Sequence, residues 1–252
     1  MLVYSLQLVG SLLLLMTGAA ALAVGLRARS GDAYHAAAWR ATGATFLAEG
    51  VSVTTQNAFG GAAMHAGGTS SLMKAYLAWL PVFNHSRTFM VTGALLALAW
   101  LALHRGAPGP RFWTGLVALL CLGTAVGAAL GVREGSFTRT GHVTALAGWD
   151  LMELLVILPV LFLLLVKNRV DRLLWALLGA YAASLALGIF WFLVLGQIAP
   201  GWTPSNWSRV AVRDALYVGM AAAALFRWLA VRRGREVHGM LGPPPLRVSM
   251  IR

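Results

Sequence analysis

The sequence is poor in cysteine, lysine and acidic residues, and each shortage excludes a class of protein. The single Cys121 lies in an apolar run, so neither a disulfide framework nor a thiolate metal site is available. Charged residues make up 11% of the 252 residues, against about 25% in soluble domains. The chain is therefore not a soluble globular domain.

Long apolar segments fill most of the chain instead. Apolar residues make up 59% of it and the mean hydropathy is +0.73, which predicts an all-α integral membrane protein. A helix rising 1.5 Å per residue crosses a bilayer in about 20 residues. Seven segments approach or exceed that length and predict a seven-transmembrane helix bundle within one membrane domain, residues 1–234: 3–26, 36–57, 86–104, 112–132, 142–166, 172–198 and 208–231.

The distribution of basic residues predicts the orientation. Arg27 and Arg29 follow the first segment, which favours a retained helix with its N-terminus outside over a cleaved signal peptide. The C-terminus is then inside, and 14 of the 20 Lys and Arg residues fall on the inner side. This sidedness explains the net charge of +12 without a nucleic-acid partner and predicts contact with anionic lipid headgroups. The expected location is the cell (inner) membrane.

Two regions are expected outside the spans. The connection 58–85 opens Gly-rich and continues as an amphipathic segment, which predicts an outer loop with an interfacial helix. This segment could act as a lid that controls entry to a site. The alternative is a connector that lies on the membrane surface and has no such role. The tail 235–252 is basic and Pro-rich and is expected to be disordered on the inner side.

Four of the eight acidic residues fall inside the predicted spans: Glu49, Asp150, Glu153 and Asp214. A carboxylate at the bilayer centre costs roughly 2.5–3.5 kcal/mol on the most lenient scale, so such residues usually face a protein interior or a wet cavity. These acids are the strongest functional signal in the sequence.

The second segment carries a polar stripe around Glu49. Thr42, Thr45, Glu49, Ser52 and Gln56 lie at offsets of 0, 3, 7, 10 and 14, which is one face of a helix. Hydroxyl groups alone would fit a helix–helix interface. The acid favours a ligand- or proton-binding face, which would include Ser52 and Gln56.

The fifth segment carries a pair of acids. Asp150 and Glu153 are i, i+3 neighbours, and Trp149 lies almost in line with Glu153. Two carboxylates this close in a low-dielectric site do not both ionise easily, so the pair is suited to exchange a proton, hold a cation or divide acid and base roles. The alternative is a structural pair neutralised by arginines of other helices.

The supporting charges come from the third and seventh segments. Arg213 is the first candidate counter-ion for the acids of the fifth segment, and Arg87 is the second. Tyr217 shares a helix face with Arg213. Asp214 is shallow and adjacent to Arg213, which is also typical of a structural salt bridge.

No cofactor is predicted. His85 and His142 are weak metal candidates, because no clustered histidine pair is present. No histidine lies deep in a span, which disfavours an integral bis-His haem. The topology is similar to that of microbial rhodopsins, but the only lysines, Lys74 and Lys167, lie outside the spans, which excludes a retinal Schiff base in the seventh segment.

The leading hypothesis is a membrane binding protein of the sensor or transporter type. Glu49, Asp150 and Glu153 would line an acidic cavity open to the outer side and take a small polar or cationic ligand, or protons. Helices 2, 3, 5 and 7 are expected to form its walls. The alternatives are a membrane-embedded enzyme that uses the same carboxylates, possibly with a metal, and a structural subunit that binds a membrane protein partner or a second copy of itself.

Overall fold

A computed structural model describes residues 2–27, 33–103, 108–134, 139–166, 171–191 and 206–233. Within these ranges the chain forms seven α-helices, which are α1 (Leu2–Arg27), α2 (Ala33–His65), α3 (Ser71–Leu103), α4 (Pro110–Glu134), α5 (Arg139–Val166), α6 (Arg172–Ile189) and α7 (Asn206–Arg232). Each helix contains most or all of one predicted apolar segment. The tail 235–252 lies outside the described residues.

Several helices are long and apolar enough to cross a membrane. In the part of the chain that the structure describes, five such stretches occur: Leu6–Arg27, Ser71–Leu103, Pro110–Arg133, Arg172–Ile189 and Arg209–Arg232. Many of the large apolar side chains on these helices are exposed, as is typical of surfaces that face lipid. The chain is therefore a helical membrane protein.

The region 58–85 differs from the expected long connection, because helices enter it from both sides. α2 continues to His65 and α3 begins at Ser71, so only residues 66–70 connect them. The Gly-rich stretch stays helical where Gly60 meets the ring of Tyr76, a position at which an added Cβ would overlap that ring. Gly67, with a φ of 97°, then turns the chain after α2 in a conformation that glycine adopts readily.

The helices run alternately up and down. Gly18 and Gly25 of α1 lie against Leu47 and Arg40 of α2, so these two helices are antiparallel. The same reasoning makes α3 and α4 antiparallel, and likewise α5 and α6. We call the end with the starts of α1, α3, α5 and α7 the N-terminal end of the bundle, and the other the opposite end.

Glycines bring two helix pairs into close contact. On α4, Gly123, Gly127 and Gly131 are spaced four residues apart, and all three face the backbone of α3. An added Cβ at any of them would overlap backbone atoms of α3. Small residues at such spacing allow helices to pack closely in a membrane, where no hydrophobic force drives association. The α1–α2 pair uses glycines in the same way: Gly18, Gly25, Gly43 and Gly50.

At the opposite end, a buried ionic group joins three helices. Asp171 caps α6 by accepting a hydrogen bond from the backbone N–H of Leu173 at 3.0 Å. It also forms an ion pair with Arg227 of α7, 2.6 Å away, and accepts a hydrogen bond from the indole N–H of Trp39 of α2 at 3.3 Å. These contacts fix the register of α2, α6 and α7, and hence the depth at which their polar residues meet.

Candidate functional site

Four side chains from four helices meet inside the bundle: Glu49 of α2, Arg87 of α3, Glu153 of α5 and Tyr181 of α6. We call them the carboxylate cluster. Glu49 is 1% exposed and Glu153 is 0% exposed. Two of the three acids expected to line the predicted cavity therefore converge, although they lie 104 residues apart in the chain.

The hydroxyl of Tyr181 lies between the two carboxylates. Its oxygen is 2.6 Å from Glu153 Oε2 and 3.2 Å from Glu49 Oε1. The shorter distance is that of a strong hydrogen bond to a carboxylate. Because a tyrosine hydroxyl carries one hydrogen, it donates to only one acid at a time. The other acid forms a hydrogen bond with Tyr181 only when that acid is protonated and donates its hydrogen to the Tyr181 oxygen.

Arg87 lies near both acids without binding either closely. Its guanidinium nitrogens are 3.8 Å from Glu49 Oε1 and 3.9 Å from Glu153 Oε1. A charge-assisted hydrogen bond would bring these atoms to about 2.7–2.9 Å. Among the described residues, Glu49 Oε2, Glu153 Oε1 and Arg87 Nε have no hydrogen-bond partner. Arg87 thus compensates the charge of one carboxylate, while several polar atoms of the cluster retain capacity for a proton or water.

The polar stripe of α2 explains how Glu49 comes to face inward. Thr45 and Thr42 are buried one and two turns, respectively, from Glu49 toward the opposite end. The Thr45 hydroxyl donates to the backbone carbonyl of Ala41 at 2.8 Å. Ser52 and Gln56 lie on the same face toward the N-terminal end and are half-buried. The stripe thus passes from a closed interior near the threonines to a more accessible region beyond Glu49.

Asp150 lies apart from the Tyr181 hydroxyl, one turn closer to the N-terminal end. Its carboxylate contacts α6 at Gly188. It interacts electrostatically with Arg87 and Glu153 of the cluster and with Arg209 and Arg213 of α7. Asp150 is therefore a neighbour of the cluster on the side that is closer to the surface.

α6 contributes to the site although it was not predicted as a wall, since Tyr181 comes from α6. Tyr217 of α7 is buried and interacts electrostatically with Glu49 and Arg87. Arg213 pairs with its neighbour Asp214 at 3.1 Å, and its guanidinium lies 5.4 Å from the centre of the Tyr217 ring. Asp214 itself lies against Gly10 of α1. Among the described residues, Arg87, the second candidate from the sequence, lies within ion-pairing distance of Glu49 and Glu153. Arg213 acts electrostatically on Glu49 and Asp150.

Trp149 and His85 bind each other. The indole N–H of Trp149 donates to Nδ1 of His85 at 3.0 Å, and the two rings pack edge to face. The side chain of His142, the other weak metal candidate, lies outside the described residues. Within the described ranges, no group of three or more His, Cys, Asp and Glu side chains is arranged to hold a metal ion.

Tyr181 is not among the residues predicted from the sequence. It lies in an apolar stretch, and its hydroxyl is the central atom of the cluster. The available signal was physical: a tyrosine hydroxyl buried in a membrane helix has to find a hydrogen-bond partner. The same reasoning would have drawn attention to Trp39, whose indole N–H binds Asp171.

No family model, curated protein or solved structure matches the chain. A functional assignment therefore depends on the chemistry of its own residues. The most informative feature is a pair of buried carboxylates that share one hydroxyl and one guanidinium.

Proposed function

We propose that this protein is a seven-helix integral membrane protein that transports protons, with Glu49 and Glu153 as its proton-binding pair. The observation that carries the proposal is the position of the Tyr181 hydroxyl between two buried carboxylates. This narrows the sensor or transporter hypothesis to one ligand, because the contacts of the cluster have the chemistry of proton exchange.

The charge count of the cluster favours one bound proton. An arginine side chain stays protonated in proteins, so Arg87 contributes one positive charge. Two ionised carboxylates leave the cluster at −1, and one added proton makes it neutral. A buried site of low dielectric strongly disfavours an uncompensated charge. The neutral state is therefore the resting state, and losing or exchanging its proton is the functional event.

The hydroxyl of Tyr181 supplies a route for that proton. When Glu49 is protonated, it donates to the Tyr181 oxygen, while Tyr181 donates to Glu153. Moving each hydrogen along its bond gives the mirror state, in which Glu153 is protonated and Tyr181 donates to Glu49. One proton thus changes acids with little movement of heavy atoms, as expected of a relay in a transporter.

The proposed orientation has the N-terminal end of the bundle outside and the opposite end inside, in the cell (inner) membrane. Basic and aromatic residues support it. At the opposite end, the guanidinium groups of Arg27 and Arg232 lie 5.9 and 5.5 Å from the centre of the Trp228 ring. Arginine is enriched on the inner side, where it also suits anionic lipid headgroups, and tryptophan is enriched at both membrane interfaces.

Proton flux into liposomes tests the proposal. Purified protein is reconstituted around a pH-sensitive dye, the membrane potential is clamped with potassium and valinomycin, and the external medium is acidified. We expect the lumen to acidify faster than in protein-free vesicles, because the neutral cluster passes one proton at a time. Equal rates with and without protein would contradict proton transport.

The same vesicles separate protons from metal cations. A monovalent cation would neutralise the deprotonated cluster as well as a proton does, so sodium and potassium are the competing ligands. We expect the flux to be unchanged when sodium replaces choline at fixed pH. A flux that requires sodium would instead assign the cluster to cation transport.

A further inference from the structure

Asp150 occupies a distinct place next to the carboxylate cluster. It precedes Glu153 by three residues, so the two side chains are neighbours on one side of α5. Glu153 has no exposed surface, whereas Asp150 is partly exposed. A proton that travels between the surface and Glu153 along α5 therefore meets Asp150 first.

A glycine makes room for this carboxylate. Asp150 lies against Gly188 of α6, and a Cβ at position 188 would overlap Asp150 Oδ2. Gly188 follows Tyr181 by seven residues, which is two helical turns, so both lie on one face of α6. The face that presents the hydroxyl to Glu153 thus also leaves space for Asp150.

Charged groups from three helices act on Asp150. Arg87 of α3 and Glu153 of α5 act from the side of the cluster, while Arg209 and Arg213 act from α7. The two arginines of α7 stabilise an anionic Asp150. Glu153 disfavours it when Glu153 is itself ionised, so the two acids compete for a proton.

We propose that Asp150 passes protons between the N-terminal end of the bundle and the Glu49–Glu153 pair, and that Gly188 is what allows it to occupy this position. In the inward step, Asp150, an anion at rest, first takes a proton from water. Its carboxylic acid then loses that proton and the carboxylate of Glu153 gains it. Asp150 becomes an anion again, on which Arg209 and Arg213 act. This inference rests on the proposed function of the pair.

Two variants test it by different routes. Asp150→Asn removes the titrating group, and Gly188→Ala displaces it without changing any charge. We expect each to slow proton flux by roughly 10²-fold, the lower range of what a positioned acid or base contributes. Asp150→Glu, which keeps the acid, is expected to retain most of the flux.

Gly179→Ala is the matched control on the same helix. Among the described residues, a Cβ there meets the Trp175 ring alone, 4.0 Å away, so the flux should stay at the wild-type rate. Equal slowing in Gly179→Ala and Gly188→Ala would attribute the effect to α6 packing and overturn the inference. Wild-type flux in Asp150→Asn would also overturn it.

An equilibrium readout separates this inference from the proposed function. The proton of the pair is followed by the infrared carbonyl band of a protonated carboxylic acid. We expect Asp150→Asn to keep that band while it loses flux, because Asp150 acts on the rate of exchange. If Asp150→Asn lost both the carbonyl band and the flux, Asp150 would belong to the proton-binding site. That result would overturn its role in a separate proton-transfer step. Wild-type protein without flux would overturn the proposed function itself.

Discussion

Glu49→Gln and Glu153→Gln are each expected to reduce proton flux to the rate of protein-free vesicles. Either change leaves one carboxylate beside Arg87, a cluster that is already neutral without a bound proton. Adding a proton would then create an uncompensated buried positive charge, which a low-dielectric site strongly disfavours. Glutamine has nearly the same size as glutamate, so the packing around each position is retained. The liposome assay measures the result.

Two comparisons make this prediction specific. Glu236→Gln changes an acid of the C-terminal tail and should leave the flux unchanged. Tyr181→Phe keeps both acids and Arg87 but removes the hydroxyl between them, so it should slow the flux by roughly 10²-fold while the site still binds its proton. Glu49→Gln vesicles that acidify at the wild-type rate would exclude Glu49 from the path.

Replacing Arg87 by Met should destabilise the protein by about 3–5 kcal/mol, the usual cost of removing one partner from a buried ion pair. Arg87 is within ion-pairing distance of Glu49 and Glu153, so its removal leaves two buried acids without that ion-pairing partner. The loss of stability should become smaller as the pH falls, because protonated carboxyl groups carry no charge. Unfolding in detergent at several pH values measures it.

A double variant identifies the cause. Arg87→Met combined with Glu153→Gln removes one charge of each sign, so it should recover most of the lost stability. Arg233→Met, at an exposed position after α7, is the control and should change stability by less than about 0.5 kcal/mol. A double variant as unstable as the sum of its single changes would show that Arg87 stabilises the bundle by packing alone.

Much of the fold follows from the sequence, because membrane helices can be recognised by their length and mean hydropathy. Each of the seven helices contains most or all of one predicted apolar segment, and residues 192–198 of the sixth segment lie outside the described residues. The region 58–85 was harder, since Gly60 and Gly61 suggested a loop. In the structure Gly60 is helical, and its missing side chain leaves room for the Tyr76 ring of α3. That contact between α2 and α3 is not readable from local sequence.

The site was predictable only in part. The free-energy cost of burying a charge in a membrane indicated Glu49 and Glu153, and that cost does not depend on how their helices are rotated about their axes. Their meeting depends on helix rotation, which a nearly uniform apolar pattern does not fix. The sequence placed Arg213 above Arg87 as a counter-ion for the acids of α5. In the structure Arg87 is within ion-pairing distance of Glu153, whereas Arg213 pairs with Asp214 and acts electrostatically on Asp150. Tyr181 was not predicted because a single hydroxyl in an apolar helix produces no periodic pattern of polar residues.

Infrared difference spectroscopy of the purified protein tests the central claim most directly, which is that Glu49 and Glu153 share one proton. We expect one protonated carboxylic acid whose carbonyl band shifts in D₂O and disappears in both Glu49→Gln and Glu153→Gln. Its loss on alkalinisation should match the release of one proton per chain. A spectrum with no such band, or a band that survives in both variants, would contradict the account.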